Sequence, residues 1–207
     1  MQRLVLPSKH TVEVRSGASI GQDLEMEWFT DAGLGLDYEV LRLERTDQQW
    51  LDAGTRLCEE TVRQLGDLVA SIEHIGSSSV STLLAKPIID LAVGLSDHDQ
   101  FALVRDRLVD TGWIYRGDAG VDGGHVFVLE TRPWHRVAHI HVVEYDGEQW
   151  RNYLRLREVL RRSADARARY EAAKQQLVVE FGDDRKAYTD GKSAIVRSLL
   201  ADADTVT

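Results

Sequence analysis

The sequence predicts an α/β (α+β) protein: a mixed β-sheet flanked by helices, with a C-terminal helical segment. Two observations predict it. Short runs rich in Val, Ile and aromatic residues alternate with helical patterns until about residue 145. From Gln149 onward the pattern is helical and no further strand signal follows.

Residues 1–38 read as an N-terminal extension. Residues 4–6 and 11–14 predict two short strands around Pro7 and His10, and the glycines of residues 31–37 predict a loop. Residues 40–43 predict another short strand. Thr46 and Gln49 stand at capping-box spacing and open a helix. Trp50, Leu57, Thr61 and Leu65 recur on one face of it, and Gly66 ends it. Cys58, the sole cysteine, sits beside that stripe as a small core residue. It can make neither an internal disulfide nor a cysteine-based metal cluster.

Residues 72–75 predict a strand running into Gly76-Ser77-Ser78-Ser79, and residues 88–93 a second strand. Ser96 and Asp97 cap a helix over 98–110, closed by Gly112. Three strands follow at 113–116, 125–130 and 137–143, with a turn at 122–124 between the first two. The helical stretch 149–182 breaks at Ser163, and Thr189 caps a final helix to about Leu200. Residues 39–200 thus read as one domain, with 201–207 as a tail.

Charge narrows the function classes. The chain carries 25 Lys+Arg against 34 Asp+Glu, a net charge of −9. Such acidity argues against a general nucleic-acid binder. Yet residues 151–200 hold 12 basic and 7 acidic side chains, so the balance reverses in the helical segment. At 100° per residue, Arg151, Arg155, Arg162 and Arg169 share one helix face and read as solvated, whereas Arg157 lies at the edge of the apolar face. Lys174, one turn after Tyr170, is placed similarly. No apolar run is long enough to span a membrane, and the first residues lack the apolar core of a secretory signal; with one cysteine, these features predict a cytoplasmic protein.

Four places carry chemistry. Gly76-Ser77-Ser78 can present backbone N–H groups to an anion. Asp90 interrupts an apolar strand on the face it shares with Ile88 and Ala92, and a polar residue there needs a partner or a task. Placed on the strand after the turn, its carboxylate can hold Mg²⁺ against a bound phosphate. His139 and His141 share one strand face and suit metal binding, phosphate binding or proton transfer. Lys86, held extended by Pro87, can reach a phosphate at the turn. Each also has a plain structural reading: a turn, a paired aspartate, two hydrogen-bonded histidines and a solvated lysine.

Taken together these motifs resemble the GrpB family. Residues 72–80 (IEHIGSSSV) and 85–91 (AKPIIDL) match its signature, 139–143 (HIHVV) its His-x-His strand and 157–161 (REVLR) its Arg-rich helix motif. Tyr170 with Lys174, and Asp184-Arg185 with Tyr188-Thr189 and Lys192, match its C-terminal motifs. The resemblance covers roughly residues 39–200. It implies a nucleotidyltransferase (DNA polymerase β-like) fold that binds a nucleoside triphosphate with Mg²⁺ and acts on a small-molecule substrate. Carried over residue by residue, Gly76, Ser77, Ser78, Lys86, Arg157 and Lys174 would serve the phosphates, Asp90 the metal, and Asp90, His139 and His141 the chemistry. The chain departs from that superfamily at Ala92, where a second carboxylate would stand, and at His139 and His141, where the third strand would offer an acid. These departures keep two other readings open, a non-catalytic binding or accessory module and a metal-dependent hydrolase built on the two histidines.

Overall fold

The computed structural model describes residues 26–120, 124–181 and 184–204. The strands expected at 4–6 and 11–14 lie outside these residues. In chain order the elements are α1 (Glu27–Asp31), β1 (Leu36–Asp37), β2 (Glu44–Arg45), α2 (Gln48–Leu65), β3 (Ser71–Ile75), β4 (Leu84–Ala85), β5 (Ile89–Leu95), α3 (Phe101–Asp110), β6 (Ile114–Asp118), β7 (His125–Arg132), β8 (His135–Glu144), α4 (Glu148–Arg162), α5 (Ala164–Phe181) and α6 (Arg185–Asp204).

The main sheet runs β3-β5-β8-β7-β6, with β1 paired to the start of β8. β5 and β8 are parallel and every other pair is antiparallel, which makes the sheet mixed as expected. No helix among the described residues is long and apolar enough to cross a membrane.

Strand periodicity divides the sheet into two faces. Ile89, Leu91 and Val93 of β5 and Ile140 and Val142 of β8 pack against Trp50, Leu57 and Leu65 of α2 and Val104 and Leu108 of α3. On the opposite face Ile75, Ala92 and Val143 meet Trp150 of α4. A third cluster joins Val80 and Leu83 to Leu156, Leu160, Tyr170 and Leu199, and so docks the C-terminal helices on the turn after β3.

Three local expectations change. Thr46 does not cap α2. Asp47 does, its side chain accepting from Trp50 N, while the buried Thr46 hydroxyl donates to Val80 O at 2.5 Å and accepts from Leu83 N. The short strand expected at 40–43 lies at Glu44–Arg45, paired with β4. The last helix opens at Arg185 rather than Thr189, with the Asp184 carboxylate accepting from the N–H groups of Lys186 and Ala187.

Residues 26–37, expected in an extension with a loop at 31–37, carry a helix and a strand that pack into the main core. Phe29 is fully buried, and Leu34 and Leu36 are nearly so. Phe29→Ala is therefore expected to cost about 3–5 kcal/mol, measured by urea unfolding. A cost below about 1 kcal/mol would place this segment outside the cooperative core.

His74 supplies a second test. Its ring packs against Gly54 of α2, where any Cβ would collide with the imidazole, and its Nε2 lies 3.1 Å from Ser78 Oγ. Burial pushes the imidazole down to about 4. Between its ordinary value near 6.5 and that point, the unfolded chain binds a proton that the folded chain refuses. Stability is therefore full above the ordinary value and falls with pH, by ~2 kcal/mol at pH 5 for this group. The loss in unfolding free energy from pH 7.5 to pH 5 should shrink by that amount in His74→Gln. An unchanged loss would show that His74 is not the titrating group.

Candidate functional site

The site is built on the end of β3 and on the part of the α4-side face of β5 and β8 that α4 leaves uncovered. At Gly76 the chain takes φ +70 and turns sharply. A Cβ there would lie 2.9 Å from Asp90 Oδ2, so glycine lets the carboxylate come against the turn. Ser77–Ser79 then form one 3₁₀ turn, closed by Ser79 Oγ donating to Gly76 O at 2.7 Å.

β5 and β8 pair in parallel with Asp90 opposite His139 and Ala92 opposite His141. His139 Nδ1 lies 3.0 Å from Asp90 Oδ1. The carboxylate can only accept, so Nδ1 is the donor of this bond and Nε2 takes no part in it. Burial alone pushes the Asp90 carboxyl up. The hydrogen bond from His139 and the positive potentials of His139, His141 and Lys192 outweigh it and hold the group below the usual carboxylate range. Asp90 is thus ionised.

Around this pair lies a cleft of about 420 Å³. Five basic side chains line it: Lys86, Arg116, Arg136, Lys174 and Lys192. Asp90 is the one carboxylate among its lining residues. Lys174 is 1% exposed, with Nζ 3.1 Å from Ser77 Oγ and 2.5 Å from Leu84 O. One turn earlier on α5, Glu171 accepts from Leu84 N at 2.8 Å, so α5 grips both polar groups of that residue. Burial pushes the Lys174 amine well down, and the neighbouring charges of Lys192 and Lys86 push further. Lys192 goes the other way: Tyr170 above all, with Asp90, Tyr188 and Tyr153, holds its ammonium above the ordinary lysine range against the opposing effect of burial. Lys86 Nζ sits 4.0 Å from the centroid of the Tyr188 ring.

Arg136 reaches the cleft through a β-bulge. Strand parity would put it on the apolar face with Ala138, Ile140 and Val142. The pairing steps from Leu129↔Ala138 to Glu130↔Arg136, which leaves Val137 as the extra residue and flips Arg136 to the histidine face. Val137 goes into the core instead. Arg136 is 2% exposed and stacks at 4.4 Å on the Tyr38 ring, whose hydroxyl donates to Glu130 at 2.7 Å.

Of the residues expected from sequence, Asp90, His139, His141, Ser77, Lys86 and Lys174 come together in the cleft. Gly76 shapes the turn without lining it. Ser78 is not among the lining residues, and its Oγ lies 3.1 Å from His74 Nε2. Arg157 does turn inward, but it donates to Glu73 Oε2 at 2.9 Å and His74 O at 2.7 Å. It ties α4 to β3 and is absent from the cleft lining. Sequence reasoning missed Tyr38, Arg116, Arg136, Tyr188, Thr189 and Lys192 as lining residues. Tyr188, Thr189 and Lys192 had a signal, since they form a motif on one helix. Arg136 had none, because a bulge leaves no trace in periodicity.

The magnesium expected at Asp90 does not fit the donor set. Mg²⁺ demands several hard oxygen ligands, whereas Asp90 Oδ1 is engaged by His139, and cations face the remaining space. Ala92, the second carboxylate position, is fully buried in the cluster beneath Trp150. Among the described residues no three His, Cys, Asp or Glu side chains group as metal ligands.

Comparison with known proteins agrees with the fold. A solved structure, the conserved protein GrpB from Enterococcus faecalis, superposes with TM-score 0.67 at 25% identity, covering 78% of this chain and 99% of that one. A structure of the Cid1 poly(U) polymerase with MgGTP reaches TM-score 0.49 at 11% identity, over 82% of this chain and 54% of that one. That likeness bears on neither ligand nor reaction. The glutamate-rich protein GrpB of Alkalihalophilus pseudofirmus is 30% identical over 66% of this chain and 80% of its own length. The UPF0157 protein SCO7215 of Streptomyces coelicolor is 34% identical over 76% and 81%. The family described as GrpB protein matches residues 40–202, which span the turn, both central strands and all three C-terminal helices, and the chain belongs to that family.

Proposed function

We propose that the cleft binds a compact phosphate-bearing small molecule, a nucleoside triphosphate being the member of that class that the resemblance of the sequence motifs implies. The observation that supports this is the composition of the lining: five basic side chains against one carboxylate, in a chain whose net charge is −9. A lining in which basic side chains outnumber carboxylates gives a local positive potential that suits an anionic ligand. A cleft of this volume is ordinary for a small ligand.

Side-chain cations rather than Mg²⁺ neutralise the phosphates. Lys86 and Lys192 are the flexible point charges, and Arg136 offers a planar fork. Ser77 supplies a hydroxyl beside them. His139, oriented by Asp90, is the group placed to move a proton to or from the ligand, with Asp90 stabilising the charged ring. The sealed Ala92 position favours a second reading, in which the domain holds its ligand without phosphoryl or nucleotidyl chemistry.

Calorimetry with the four nucleoside triphosphates and inorganic tripolyphosphate, in EDTA and in Mg²⁺, tests this. Binding is expected in EDTA. Lys192→Met should weaken it about tenfold or more, the scale of one charge-assisted hydrogen bond. Asp90→Asn should leave affinity unchanged or raise it, because it removes a negative charge from the lining. Binding that requires Mg²⁺ and disappears in Asp90→Asn would replace this reading with a metal-dependent one. Failure of every phosphate compound to bind would end it.

A further inference from the structure

Next to the cationic cleft, at the β7–β8 hairpin, stands an aromatic residue that neither packing nor turn chemistry explains. The loop is two residues long, Pro133 and Trp134, between Arg132 and His135. Proline fixes a negative φ at the first position, and Trp134 adopts φ +67 at the second. Glycine or asparagine takes that conformation at little steric cost; a tryptophan does so under strain. Burial does not compensate, since Trp134 is 68% exposed. A strained, solvent-facing indole held at a fixed place points to function.

The tip is held firmly and is joined to the cleft. Trp134 N–H donates to Glu130 Oε2 at 3.0 Å, and Tyr38 N–H donates to Trp134 O at 3.1 Å. The other Glu130 oxygen receives the Tyr38 hydroxyl at 2.7 Å and Arg116 at 3.1 Å. The Tyr38 ring meets the indole edge-on, with centroids 5.6 Å apart, and carries the Arg136 guanidinium over its face. Arg136, Tyr38 and Trp134 thus form a continuous ladder from the cleft to the hairpin. Arg116 lines both the cleft and a shallow depression of about 490 Å³ formed with Arg132, Pro133 and Trp134.

We infer that Trp134 is the stacking platform for a heteroaromatic ring carried by the phosphate-bearing ligand, which narrows the ligand class to nucleotides. The inference rests on the reading of the cleft as a phosphate site. Phosphates occupy the lysine- and arginine-lined space, and the base lies in the depression against the indole. Every nucleobase has a π-face, so this contact selects for a base without selecting which one. Arg116 and Arg132 flank the ring and suit it by cation–π contact.

Calorimetry separates this contact from the phosphate contacts by comparing inorganic tripolyphosphate with the four nucleoside triphosphates. Wild-type protein is expected to bind at least one nucleotide about fivefold or more tighter than tripolyphosphate, the lower end of what one base stack supplies. Trp134→Ala should bring nucleotide affinity down to the tripolyphosphate level and leave tripolyphosphate itself unchanged. Trp134→Phe, which keeps a ring at the tip, should recover most of the difference. A nucleotide preference that survives in Trp134→Ala overturns the inference. So does a wild type that binds tripolyphosphate with no preference for any nucleotide, and in that case the phosphate reading stands. Absence of binding by either class removes both.

Discussion

The parallel pairing of β5 with β8 fixes the register that the site depends on. It sets Asp90 opposite His139, on the same sheet face as α4 but beyond the part that Trp150 covers. A carboxylate in such a place is unstable without compensation. His139 compensates in part through its hydrogen bond. The remainder comes from His141 on β8 and, from outside the sheet, from Lys192 of α6. A one-residue slip of β5 would bring Ile89 or Leu91 opposite His139 in place of Asp90 and erase the pair.

The C-terminal helices are therefore part of the site and not an accessory to it. α5 is anchored by the grip of Glu171 and Lys174 on Leu84, and α6 packs through Leu199 against the cluster that includes Val80. Both anchors lie within a few residues of the Gly76 turn. The turn, in turn, is held from behind by Arg157 on His74 O and Arg161 on Ser79 O. The basic side chains of α4 thus divide the work: some hold the backbone of the turn, while Arg151 and Arg162 remain solvated.

What the sequence shows of this is governed by regularity. The mixed sheet, the break at Ser163 and the faces of β5 and of the later part of β8 follow from unbroken periodicity, and so Asp90, His139 and His141 are legible. Periodicity fails wherever the backbone departs from a regular element. Ser77 and Ser78 are neighbours in a 3₁₀ turn, one facing Lys174 and the other His74, and no strand or helix rule separates them. Arg136 changes face because Val137 bulges. Thr46 looks like a cap but its hydroxyl is needed at Val80 and Leu83, so Asp47 takes the role one residue later. Tyr38 and Arg116 enter through pairing between segments far apart in sequence, and local patterns hold no record of that.

The acidity of the chain sharpens the meaning of its cationic cleft. Surface carboxylates repel an anionic ligand at long range, but that repulsion is screened within about 10 Å at ordinary salt. Inside the cleft the lysines and arginines act at hydrogen-bond distance and with less screening. A long polyanion lying across the surface meets the unfavourable charge along most of its length, whereas a small phosphate compound meets only the cleft. On the proposed reading the charge distribution would select by size as well as by sign, favouring a ligand short enough to be enclosed between Lys86, Lys192 and Arg136.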